Sequence, residues 1–185
     1  MNWLIFLSQL PANPSSLRVN VWRRLRAGGA LGLQNGVWVL PDRPEQVRFL
    51  EDLLESIQGQ GASGQIFTVA PLDGAVEQDI LNRFRADRGE EYAEFAERSQ
   101  EFLAEIEKES AKQKYTFAEL EENEQDLARL AGWLEKIQKR DFTGGEAATR
   151  AAQLMNACRS AFEVFSGEVC SRQADTPADQ ESSCP

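Results

Sequence analysis

Residues 30–41 read ALGLQNGVWVLP, and the Asn35-Gly36 pair at the centre decides the fold. Asn-Gly between two apolar runs is the strongest short-range hairpin signal, because a tight turn needs residues that tolerate positive φ. Both flanks alternate, with Leu31 and Leu33 before the turn and Val37 and Val39 after it. Alternation sends one side chain in two to a buried face. Pro41 ends the second strand, having no N–H to give to a ladder.

Working outward, helices flank the hairpin on both sides. Upstream, Leu17, Val21 and Leu25 fall at i, i+4 and i+8, Ser15 or Ser16 caps the helix, and Gly28-Gly29 stop it. Downstream, a helix begins near Asp42–Glu45 and runs to about Gln58, with Val47, Leu50, Leu54 and Ile57 as its apolar stripe. Trp3–Leu10 is a short strand closed by Pro11, and Gln65–Leu72 is a fourth strand ended by Pro71. The order β-α-β-β-α-β is the ferredoxin-like plan, an antiparallel sheet with two helices on one face. The expected class is α+β, with residues 1–72 as the ferredoxin-like domain.

From Asp73 onward every pattern is helical. Val76, Ile80, Leu81 and Phe84 share one face, and Gly89 is expected to interrupt that helix. Tyr92, Phe95, Ser99, Phe102 and Ile106 follow in a 3-4 heptad spacing. Thr116-x-x-Glu119 is a capping box opening a helix whose seam is Leu120, Leu127, Leu130, Leu134 and Ile137. After a break at 143–145, a last helix buries Leu154, Met155, Cys158, Phe162, Phe165 and Val169. Residues 73–170 are thus an antiparallel helical hairpin plus a third helix. They form a three-helix bundle, lie across the first domain, or pair as a homodimer through the seam. Residues 171–185, SRQADTPADQESSCP, have no periodicity and are expected to be a disordered tail.

Composition narrows the function. The chain has no histidine, which removes Ser-His and Cys-His nucleophile pairs and imidazole metal sites. The runs Glu90-Glu91-x-x-Glu94-x-x-Glu97 and Glu119-x-Glu121-Glu122-x-Glu124 resemble carboxylate metal sites, but such bundles use Glu-x-x-His pairs, so solvated polar faces are expected. The expectation is no catalytic residue, no metal and no cofactor. Cys158 and Cys170 lie on one helix, about 18 Å apart at ~1.5 Å per residue, so free thiols are expected. No apolar run approaches the ~20 residues that span a bilayer, and Trp3–Leu7 is too short for a signal peptide and lacks a basic flank. No membrane association and a cytoplasmic location follow as expectations.

The net charge of -10 is unevenly spread: residues 1–40 hold four arginines and no acid, whereas residues 75–185 hold fourteen basic and twenty-four acidic residues. Arg18, Trp22 and Arg26 form a stripe beside the apolar face of the first helix, with Arg23 and Arg24 around from it. Arginine holds phosphate or an oxyanion through paired hydrogen bonds, and tryptophan stacks on bases. These five residues are the candidate site. Duplex DNA and a tetrahedral oxyanion are the candidate ligands, and pairing with the chain's own acidic helices is the structural alternative, which leaves the chain a protein–protein interaction module.

Three segments carry a family likeness: RVNVWRRLRAGGALGLQNGVWVLPDRPE (18–45), PLDGAVEQDILNRFRADRGEEYAEF (71–95) and TFAELEENEQDLARLAGWLEKIQKRDF (116–142). They resemble the N-terminal domain of the chromate-resistance protein ChrB. The resemblance implies a chromate-responsive transcriptional regulator of efflux genes that touches DNA through basic N-terminal residues. In that family a further C-terminal domain is associated with chromate sensing, and the likeness stops short of it. The α+β half also resembles the central domain of PaaX-type repressors and small CRISPR adaptation nucleases. Those nucleases carry a metal-binding aspartate at the end of the first strand, where Ser8 and Gln9 stand here.

Overall fold

A computed structural model describes residues 1–11 and 15–174. The chain runs β1 (Trp3–Gln9), α1 (Ser15–Ala27), β2 (Leu31–Gln34), β3 (Val37–Pro41), α2 (Pro44–Gln58), β4 (Ser63–Val69), α3 (Gly74–Ala111), α4 (Phe117–Arg140) and α5 (Glu146–Ala174). The class is α+β, as the hairpin and its flanking helices imply. The four strands form one antiparallel sheet in the order β2-β3-β1-β4.

The hairpin forms at Asn35-Gly36, and its turn carries a bulge. Gly36 sits at φ +75 while Asn35 keeps a negative φ, and the β2-β3 register shifts between Gly32 and Gln34. β4 starts two residues before its expected beginning, at Ser63, because Gln9 pairs with Ser63 and Ser8 with Gly64. Gly64 permits this: a Cβ there would lie 2.9 Å from the Leu7 carbonyl oxygen. The strand ends at Val69, before Pro71.

The sheet is covered on both faces. Leu4, Phe6 and Leu40 pack with Leu17, Val21 and Leu25 of α1 and with Leu50, Leu53 and Ile57 of α2. Trp3, Leu31 and Val39 face the other way, where Phe84 of α3 and Phe142 close over them. Phe84 stacks on Trp3 with ring centroids 5.7 Å apart and meets Phe142 edge-on at 5.8 Å. The contacts divide the chain into two compact units, one of residues 1–89 with 139–144, the other of 90–138 with residues from 145 on. Residues 73–89, helical as expected, therefore belong with the sheet.

α3 runs unbroken through Gly89, correcting the expected interruption. A mid-helix glycine costs only ~1 kcal/mol relative to alanine, which packed turns on either side outweigh. In the second unit the 3-4 seam is internal. Tyr92, Phe95, Phe102 and Ile106 of α3 share a core with Leu130, Leu134 and Ile137 of α4 and with Met155, Cys158, Phe165 and Val169 of α5. This is a three-helix core, and the seam residues are used within the chain. Leu154 and Phe162 are only half-buried. Cys158 and Cys170 are free thiols; Cys158 donates to the Ser99 carbonyl oxygen at 3.6 Å, and burial pushes its pKa up. Residues 171–174, expected in the tail, continue α5. The rest of the expected disordered tail, residues 175–185 with Cys184, lies outside the described residues.

Candidate nucleic-acid interface

α1 buries Leu17, Val21 and Leu25 and turns its remaining faces outward. At about 100° per residue, the exposed side centres on Val19 and Arg23. Arg18 stands about 120° to one side of that centre and Arg24 about 120° to the other. Trp22 is 54% exposed, so it is not half of the core, as an aromatic beside an apolar face would ordinarily be. Arg18 and Arg23 are exposed and Arg24 is half-buried. Among the described residues, neither Arg23 nor Arg24 has an ion-pair partner.

Arg26 is different. Its Nη1 donates to Asp87 Oδ2 of α3 at 2.5 Å, and both side chains are partly buried. The alternative of arginines paired to the chain's own acids therefore applies to Arg26. Asp87 was not anticipated from the sequence, since it lies 61 residues away from Arg26 and in a stretch of mixed charge.

Beside α1 a cleft of about 710 Å³ opens between the helix, the end of β1 and the hairpin. Arg18 and Trp22 line it from α1, Ser8 and Gln9 from β1, and Gln34 and Trp38 from the hairpin. No carboxylate lines it among the described residues. Ser8 and Gln9 thus sit in a cleft wall of amides, hydroxyls and indoles, with no acid to hold a divalent ion. Groups of three or more acidic or cysteine side chains placed for a metal ion are absent among the described residues.

This arrangement suits an extended anion. Arg18, Arg23 and Arg24 diverge around the helix, a spacing that fits separate phosphates of an extended anion better than one tetrahedral oxyanion. Phosphate contacts of this kind position a protein without reading sequence.

The acidic runs play other parts. The Thr116 hydroxyl accepts from the Glu119 backbone N–H at 3.3 Å, one arm of the expected capping box. The Glu119 carboxylate reaches elsewhere, accepting from Lys114 Nζ at 2.9 Å and sharing a hydrogen bond with Glu109. Glu109 and Asn123 are buried polar residues, joined by a 2.6 Å bond from Asn123 Nδ2 to Glu109 Oε2. The sequence held the signal: Glu109 is three past Ile106 and Asn123 three past Leu120, so both continue the 3-4 spacing of their seams.

Compared with known proteins, residues 18–176 match the family described as Protein ChrB, N-terminal. The protein named Protein ChrB of Cupriavidus metallidurans is 28% identical over 167 residues, which cover 88% of this chain and 47% of that protein. The chain therefore spans about half the length of that curated relative.

Proposed function

The chain belongs to the family of ChrB N-terminal domains, and from that membership we propose that it is a non-enzymatic, chromate-resistance-associated regulator that binds duplex DNA through α1. One observation carries the DNA assignment: the outward faces of α1 hold Arg18, Trp22, Arg23 and Arg24 and no acid, in a chain of net charge -10. A like-charged protein approaches DNA only where its own charge is locally reversed, and α1 is where that reversal lies. Arg18 and Arg24, on opposite flanks, reach phosphates on either side of the helix. Arg23 and Trp22 face the DNA between them. The relation to chromate is carried by the family alone. No helix among the described residues is long and apolar enough to cross a membrane.

Fluorescence anisotropy with the duplex upstream of the chain's own gene tests the proposal. Binding should weaken with salt at a log-log slope of about -0.9 per phosphate neutralised. Replacing Arg18, Arg23 and Arg24 together with glutamine should make that slope shallower by about 2–3. Arg26→Gln should leave it unchanged, because Asp87 already holds that guanidinium. A folded wild-type chain that shifts neither this duplex nor generic duplex at low salt would overturn the DNA assignment.

A further inference from the structure

The two edges of the sheet are built differently. β2 has four residues, shifts register within them, and offers its Gly32 carbonyl oxygen to Arg83 Nη2 at 2.8 Å. Shortness, a bulge and a charged side chain are the ordinary protections of an exposed edge. β4 has none of them. It is seven residues long, SGQIFTV, with no charge, no proline and no register shift against β1.

Exposed apolar residues gather at that same edge. Nine large apolar side chains are exposed among the described residues, and five of them, Met1, Phe67, Val69, Leu72 and Val76, lie on or beside β4. The strand register and one ion pair place them together. Trp3 pairs with Val69 and Ile5 with Phe67, so Phe67 and Val69 share one face and Met1 lies past the end of β4. The Met1 ammonium bonds Glu77 at 2.6 Å, which ties it to the first turn of α3, where Val76 also lies. Leu72 is 93% exposed, the most of any large apolar residue described. A long uncharged edge flanked by an apolar patch marks an association surface.

We propose that β4 is a self-association surface, on which β4 of a second copy pairs antiparallel about a two-fold axis. The charge pattern selects the occupant. A chain of net charge -10 repels a second copy over most of its surface, but two β4 strands meet with no like charges opposed along Ser63–Val69. An isologous pairing needs a self-complementary strip. Paired over its whole length, the strand is symmetric about Ile66, so Phe67 of one copy lies diagonal to Phe67 of the other on one face of the joined sheet, within reach of aromatic side chains. Leu72 and Met1 add apolar contact at both ends. The proposal rests on the sheet edge and is independent of the DNA assignment.

Sedimentation equilibrium and light scattering of the full chain, from low to high micromolar concentration, provide the test. The wild type should show twice the 20.7 kDa chain mass. Phe67→Lys with Val69→Lys should be monomeric throughout, with helical circular dichroism retained. Leu72→Glu should weaken the dimer to the same end; since Leu72 lies outside the strand and packs little, this variant decides the matter if the double lysine variant does not fold. Phe117→Lys, at an exposed apolar site on α4 away from the strand, should remain dimeric. A wild type that is monomeric over the whole range overturns the proposal, as does a dimer that survives both Leu72→Glu and a folded Phe67→Lys, Val69→Lys variant.

Discussion

Glu109 stands where the heptad spacing calls for an apolar side chain, and the consequence is thermodynamic. It is buried, and its pKa is pushed up from 4.5 to about 7, chiefly by loss of solvent and then by its hydrogen bond with Glu119, against the opposing Asn123 amide. Glu119 is held low, first by that same bond with Glu109 and then by Lys114. The two therefore share one proton, which resides on Glu109. The sign of the effect follows. Between pH 4.5 and about 7 the folded chain keeps a proton on Glu109 that the unfolded chain has released, so this group lowers stability as pH rises through that window. Glutamine imitates protonated Glu109, accepting from Asn123 and donating to Glu119. Glu109→Gln should thus stabilise the fold at pH 8 by roughly 3–3.5 kcal/mol, since each pKa unit between 4.5 and about 7 is worth ~1.4 kcal/mol, and should change little at pH 4. Urea unfolding of the two proteins across that range checks it. A constant offset at every pH would mean that the carboxyl does not titrate in this window.

At the scale of elements, the hairpin and α3 each carry a contact that close packing makes costly to replace. A Cβ on Gly36 would lie 2.7 Å from the Ser8 carbonyl oxygen while the backbone holds φ +75. Gly36→Ala should cost roughly 1–3 kcal/mol, read as a lower urea midpoint with an unchanged slope. Phe84→Ala should cost about 3–5 kcal/mol, because it removes the ring that stacks on Trp3 and leaves a void under Phe142. A cost below ~1 kcal/mol would show that residues 73–89 are dispensable to the sheet. The order of the first six elements was legible because each has its own local signal: Asn35-Gly36, Gly28-Gly29, the apolar stripes. The cover of the sheet's second face was not. Val76, Ile80, Leu81 and Phe84 show that one side of a helix is buried, but periodicity does not say against what. The same limit governs the candidate site. The spacing of Arg18, Trp22, Arg23, Arg24 and Arg26 showed that they leave the apolar face, whereas the ion pair that occupies Arg26 depends on Asp87, distant in sequence and close only in space.

At the scale of the whole molecule, the decisive quantity is the contrast between one basic helix and a net charge of -10. Two electrostatic effects then act on DNA binding with opposite salt dependence. Counterion release from phosphates touched by α1 favours binding at low salt. Repulsion between DNA and the chain's net negative charge opposes it, and reaches about 30 Å at 0.01 M salt but only about 10 Å at 0.1 M. Near α1 the contacts are short and escape most of this screening; the repulsion arises over longer distances and is screened away first. The logarithm of affinity against the logarithm of salt should therefore fall at the full slope above about 0.1 M and flatten below about 0.05 M. Anisotropy titrations from 0.01 to 0.3 M salt measure both regions. The flattening should persist when Arg18, Arg23 and Arg24 are replaced one at a time, since it arises from the charge of the chain as a whole, while the steep region loses about 0.9 of slope with each replacement that frees a phosphate. A single straight line over the entire range would mean that the acidic remainder of the chain exerts no field at the DNA.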